Sequence, residues 1–291
     1  MSLKRWREKA INTRLREYRC GGARLSFSLP LIMGVVNVTP DSFSGGGRRV
    51  SPRSSIALAE KLISEGADII DVGGESTRPG SAPVPLKTEL ARVIPVIESL
   101  TRLHPRVPVS IDTSKPEVAQ AALTAGASII NDVTGLSHPA MVELAGRTQA
   151  PVVIMHMKGK PGDMAKKARY GDVVTEVTAW LARRAVELES RGVKNIILDP
   201  GLGFAKTASH NLALLNGLEK IVELGYPVLI GASRKSFIGK ILDKPVEERE
   251  VGTLAVTAIA VMKGASIIRV HEVAGNIQAA RMAYFMRKGG I

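Results

Sequence analysis

Cysteine is almost absent: the 291 residues contain one, Cys20. That excludes an intramolecular disulfide framework and any cysteine-based zinc site, and it makes the cytoplasm the expected compartment. Long hydrophobic runs are missing too. The longest uncharged stretch, residues 25–40, is interrupted by Pro30, Gly34 and Asn37 and falls short of the ~18 apolar residues of a membrane helix. Charges break every apolar stretch near the amino terminus, so no secretory leader is expected. No glycine-rich fingerprint opens the first helix, which argues against a doubly wound dinucleotide fold.

Positive charge, by contrast, is plentiful. Forty Lys and Arg against 27 Asp and Glu give a formal charge of +13. Residues 1–24 carry eight of the basic side chains and two of the acidic ones. Such an arm can touch nucleic acid or anionic lipid. Its ordinary role is a solvated extension or an edge strand, so neither nucleic acid nor membrane is expected as a partner.

From residue 31 a pattern repeats: a short apolar run, a polar residue closing it, a loop, and a helical stretch. The runs are 31–38, 67–74, 107–114, 128–133, 151–157, 195–201, 227–233 and 266–271; helices are expected near 53–65, 86–102, 116–125, 138–146, 172–191, 210–224, 250–262 and 273–287. Runs apolar on both faces suit a parallel sheet covered by helices. Eight such units predict an α/β fold, a single-domain (β/α)8 TIM barrel over residues 28–291, preceded by a basic N-terminal extension over 1–27.

Active sites of such barrels lie where strands end. The residues there are Asn37, Asp71, Asp112, Asn131, His156, Asp199, Ser233–Arg234–Lys235, Arg269 and His271. Asn37, Arg269 and His271 come from the first and last runs, which adjoin when a barrel closes. Their donors and amide oxygen suit a diphosphate with a hard cation such as Mg²⁺; an Arg–carboxylate pair beside a core histidine is the alternative. Asp112, Asn131 and Asp199 match a ring with amino, N–H and carbonyl edges, such as a pterin or purine, or else cap strand ends. A metal site on Asp112 and Asp199 lacks a nearby histidine pair. Lys235 and Ser236, before a helix, suit an anion or a solvent-facing surface. The loops 39–47 and 75–81 have the length and composition of lids, or of ordinary surface loops.

The motifs NVTPDSF (37–43), DVGGESTRPG (71–80), IDTSKPEV (111–118), NDVTG (131–135), MHMKG (155–159), LDPGLGF (198–204), SRKSFIG (233–239) and RVHEV (269–273) together resemble the dihydropteroate synthase family of pterin-binding TIM barrels. The resemblance covers roughly residues 30–287. It implies a transferase of folate biosynthesis that condenses (7,8-dihydropterin-6-yl)methyl diphosphate with 4-aminobenzoate. By similarity, Asn37 would bind Mg²⁺ and diphosphate, with Arg269 and His271 holding the diphosphate. Asp112, Asn131, Asp199 and Lys235 would contact the pterin. Thr77, Arg78, Pro79, Phe204 and Ser236 would frame the aminobenzoate. Lys235, Arg269, His271 and Arg78 would carry catalysis. Small-molecule substrates and a homodimer joined through the last helices are the implied partners.

One position departs from the pattern: Gly45 stands where the family's Ser-Asp-Gly-Gly carries an aspartate that helps order the first loop. Two other readings remain open. One is a non-catalytic pterin-binding paralogue, the other a corrinoid-dependent pterin methyltransferase.

Overall fold

The structure is a computed structural model that describes residues 17–39, 52–77, 80–159 and 162–290. Eight strands run parallel in one sheet: β3 (Leu31–Asn37), β4 (Ile69–Gly73), β5 (Val109–Asp112), β6 (Ile129–Asp132), β7 (Val152–Met155), β8 (Ile196–Asp199), β9 (Leu229–Ile230) and β10 (Ile267–Val270). Their spatial order is β8-β7-β6-β5-β4-β3-β10-β9. A parallel bridge between Leu198 and Val228 links the two ends. The sheet is therefore a nearly closed barrel, as the eightfold pattern predicts.

Helices α1 (Pro52–Ser64), α2 (Leu86–Leu103), α3 (Pro116–Thr124), α4 (Pro139–Thr148), α5 (Val173–Ser190), α6 (Ala208–Asn216), α7 (Leu218–Val222), α8 (Ser236–Leu242), α9 (Glu250–Met262) and α10 (Val273–Lys288) accompany the strands. Proline opens α3 and α4, where its missing N–H is no loss. The Asp172 side chain caps α5 by accepting from the Val174 N–H at 2.9 Å. The helix expected over 210–224 is broken at Gly217 into α6 and α7; a Cβ there would stand 2.8 Å from Val174, so glycine lets this segment pack against α5. Short α8 begins at Ser236, directly after Lys235.

Strand residues alternate between two cores. Ile32, Val36, Ile70, Val72, Ile111, Ile130, Ile154, Leu198 and Ile268 pack outward in one cluster with the helices. Met33, Ile69, Ile129, Val153, Ile197, Leu229 and Ile267 form a second, interior cluster.

That interior cluster is sealed by residues expected to lie outside the barrel. β1 (Glu17–Cys20) and β2 (Ala23–Ser26) form an antiparallel hairpin. Its Tyr18, Cys20 and Leu25, with Phe27, are buried in the interior cluster. The Tyr18 hydroxyl donates to the Ile196 carbonyl at 3.0 Å. Residues 17–27 of the expected extension thus pack against the barrel. The apolar floor of the barrel would otherwise face water, and the hairpin covers it. Residues 1–16, which hold most of the basic arm, lie outside the described residues. Among the described residues, no helix is long and apolar enough to cross a membrane.

Candidate active site

The strand alternation that turns Met33, Ile69, Ile129, Ile197 and Ile267 inward also turns Asn37, Asp71, Asp112, Asn131, Asp199, Arg269 and His271 inward, nearer the carboxyl ends. The register supports this: Asp71 lies level with Ser110, Asp112 with Asn131, and Met155 with Asp199. A polar layer therefore stands on the apolar one.

Arg269 sits at its centre. Its Nε donates to Asp71 Oδ2 at 2.7 Å and its Nη2 to Asp112 Oδ2 at 2.8 Å. Asn131 Nδ2 donates to the same Asp71 oxygen at 3.1 Å. Asp71, assigned no role by sequence, is fully buried and holds the arrangement together. The second oxygens of Asp71 and Asp112 are buried without a hydrogen-bond partner among the described residues. Burial works against the Arg269 charge, but Asp71 and Asp112 outweigh it and hold the guanidinium firmly protonated. Burial pushes the Asp112 carboxyl up, and the neighbouring Asp71, Asp132 and Glu89 carboxylates add to the rise against the pull of Arg269.

Asp199 closes β8. Its Oδ1 accepts from the Gly201 N–H at 2.7 Å, and burial raises its pKa against the opposing charges of Lys235 and Arg269. Lys235 donates to the Leu202 carbonyl and places its Nζ 4.1 Å from the centre of the Phe204 ring. Burial lowers its pKa to about 8; Asp199 and Asp112 oppose the change, and Arg269 adds to it. Gly203 makes this crossing feasible: at φ +81°, a Cβ there would stand 2.7 Å from Lys235 Cδ.

The 233–236 segment divides its residues. Ser233 Oγ accepts from the His271 N–H at 3.2 Å and lies 3.0 Å from His271 Nδ1. Arg234, at φ +57°, turns away and donates to Glu272 at 2.6 Å. Lys235 holds the capping position of α8 without a side-chain cap, and Ser236 is exposed at the first helical position. Asn37, Thr77 and Phe204 are half-buried on the same rim. Arg78, Pro79 and Gly45 lie outside the described residues.

Sequence reasoning missed Lys206. Its Nζ lies 3.1 Å from His156 Nδ1 and donates to the carbonyls of His156 at 3.1 Å and Phe204 at 3.0 Å. Burial lowers its pKa to about 7 against the pull of Asp199. Burial, with Lys206 and Lys158 beside it, lowers His156 to about 3. His156 therefore serves as a neutral acceptor in the wall of the site. No spacing rule distinguishes this lysine from a surface one.

Buried carboxylates, a crossing arginine and a half-buried lysine thus gather at the carboxyl end of the (β/α)8 barrel. The family described as pterin binding enzyme matches residues 33–271, which places the chain in that class. The Escherichia coli K12 dihydropteroate synthase is 46% identical over 263 residues, covering 90% of this chain and 93% of that protein. Xanthomonas albilineans dihydropteroate synthase, solved with 4-aminobenzoic acid, has a TM-score of 0.86 at 43% identity, with 91% of this chain and 96% of that one covered. The same enzyme in complex with 7,8-dihydropteroate gives 0.83 at 41%, with 92% and 97% covered. The chain belongs to the dihydropteroate synthases, transferases of folate biosynthesis. Neither the methyltransferase nor the non-catalytic reading is favoured.

Proposed function

We propose that the mouth of this barrel condenses (7,8-dihydropterin-6-yl)methyl diphosphate with 4-aminobenzoate by a dissociative displacement assisted by Mg²⁺. The observation that carries the assignment of roles is the pair of buried, unpartnered oxygens on Asp71 and Asp112 beside Arg269. Unsatisfied buried acceptors are costly, and the amino and N–H edge of a pterin would satisfy them. Asp112, Asn131 and Asp199 would hold the ring, with Lys235 donating to its carbonyl side.

An arylamine is neutral at pH 7, so its lone pair needs no strong base. The demanding step is departure of diphosphate from the methylene carbon. Arg269 spends two of its five N–H groups on Asp71 and Asp112, leaving three for the leaving group. His271 and Arg78 would share that load, and Asp112 with Asp199 would stabilise the cation left on the pterin. The amine nitrogen then bonds to the methylene carbon and gives up one proton. Thr77, Pro79, Phe204 and Ser236 would frame the aminobenzoate ring and carboxylate.

Mg²⁺ fits the donors at hand. Asn37 offers an amide oxygen, and its Oδ1 and Asp112 Oδ2 both stand 3.7 Å from the point a Gly73 Cβ would occupy. Among the described residues, no group of three or more His, Cys, Asp or Glu side chains is arranged to hold a metal. An ion on Asn37 would thus complete its shell with diphosphate and water, as Mg²⁺ commonly does. When bound, it supplies positive charge to the departing diphosphate.

A cytoplasmic homodimer is part of the same reading. Val251 on α9 and Met282 and Met286 on α10 are 77%, 65% and 63% exposed, apolar surface on the last two helices that a second copy would cover.

The deciding experiment measures diphosphate release from the dihydropterin diphosphate with Mg²⁺, with and without 4-aminobenzoate. Release by the wild type should depend on aminobenzoate and collapse in Lys235→Ala. A well-folded wild type that releases none refutes the proposal.

A further inference from the structure

Glu89, on α2, is a carboxylate with no exposed side-chain surface. Thr113 Oγ1 donates to its Oε1 at 2.6 Å, and Lys115 Nζ donates to its Oε2. The same ammonium also donates to Glu75. Thr113 directly follows Asp112, and its hydroxyl also accepts from the Lys115 N–H at 3.2 Å. Glu75 directly follows Gly74 and stands two residues before Thr77. Two rim segments from different strands thus meet on one lysine, over a buried carboxylate.

The backbone is docked at the same place. Arg92 Nη1 donates to the Gly74 carbonyl at 2.8 Å. A Cβ on Gly74 would stand 2.8 Å from Val93 Cγ1 and 2.9 Å from Glu89 Cγ, so the start of the loop lies flat against α2. Neither Glu75, Glu89 nor Lys115 belongs to the set assigned to substrate above.

We propose that Lys115 is a positioning residue: by holding Glu75 and Glu89 on one ammonium, it fixes the loop that carries Thr77 relative to the β5 end that carries Asp112. The proposal rests on the substrate assignment above. Its physical basis is charge balance. A fully buried carboxylate requires a positive partner. Without Lys115, two carboxylates face each other and repel. Glu89 is locked inside, whereas Glu75 is 25% exposed and would turn to water, carrying the start of the loop with it. The pterin contacts, on strands held by the ladder, would stay.

The test compares wild type with Lys115→Met, Lys115→Arg and Glu75→Ala, measuring kcat and KM for each substrate and circular dichroism for folding. Lys115→Met and Glu75→Ala should raise KM for 4-aminobenzoate roughly tenfold. KM for the pterin substrate should stay within about twofold, and Lys115→Arg should restore most of the loss. Should Lys115→Met fail to fold, Glu75→Ala decides alone, because it leaves the Lys115–Glu89 pair intact. An unchanged aminobenzoate KM in folded Glu75→Ala, or an equal rise in both KM values, overturns the positioning role while leaving the synthase assignment standing. A wild type without aminobenzoate-dependent turnover removes that assignment and the positioning role with it.

Discussion

Arg269 Nε donates to Asp71 Oδ2 at 2.7 Å, tying the last strand of the barrel to the second of its eight across 198 residues of sequence. Asp71 is fully buried and Arg269 is 21% exposed at the side chain. Arg269 keeps Asp112 as a partner at 2.8 Å, so losing Asp71 costs less than stranding a buried charge outright, about 1–3 kcal/mol. Asp71→Ala should therefore lose stability on that scale in urea unfolding, and it should lose synthase activity because Arg269 loses its anchor. A variant as stable as the wild type would show that Arg269 is held elsewhere.

Acid should weaken the fold through His156. Burial and the adjacent Lys206 and Lys158 ammonium groups lower its pKa to about 3, whereas an unfolded histidine titrates near 6.5. Between these values the unfolded chain binds the extra proton. Stability from the neutral ring is thus complete above about pH 6.5 and is lost on acidification at up to about 1.4 kcal/mol per pH unit. His156→Asn keeps an acceptor for Lys206 and should remove this component. Urea unfolding at pH 6.5 and pH 5 checks it, and identical acid slopes in variant and wild type would assign the loss to other groups.

Two glycines of one loop should separate folding from catalysis. A Cβ at Gly201 would stand 2.1 Å from the His156 carbonyl oxygen, a backbone clash, so Gly201→Ala should fail to accumulate as folded protein. At Gly203 the obstacle is the flexible side chain of Lys235. Gly203→Ala should fold with a backbone cost of about 1–2 kcal/mol, displace Lys235, and lower kcat/KM at least tenfold. Expression, circular dichroism and steady-state rates distinguish the two.

The hairpin offers a test at the opposite end. Phe27 is buried against Tyr18 with ring centroids 5.2 Å apart and packs in the floor cluster. Phe27→Ala should cost about 3–5 kcal/mol and leave the KM of both substrates unchanged. A selective rise in either KM would mean that the floor transmits strain to the mouth.

The eightfold alternation of apolar runs and helices was legible because strands covered on both faces must be apolar on both. The polar residue ending each run was legible for the same reason: polarity is tolerated where the strand leaves the core. Those two rules put Asn37, Asp112, Asn131, Asp199, Lys235, Arg269 and His271 at or just beyond the carboxyl ends of strands, where the structure has them. The hairpin over 17–26 was not legible, because four-residue strands with charged outer positions look like any solvated segment.

Sequence by itself therefore determined the barrel and the residue types gathered at the carboxyl ends of its strands, both of which follow from local periodicity. Only the tertiary structure decided which of those groups pair. Runs apolar on both faces hide which side chains turn inward, and hydrogen-bond partners on different strands are separated by whatever length of chain the helices require. The bridging of Asp71 and Asp112 by Arg269, the seat of Lys206 on His156, and the meeting of Glu75 with Lys115 and Glu89 all arise from barrel closure, which brings distant strand ends within a few ångströms of one another.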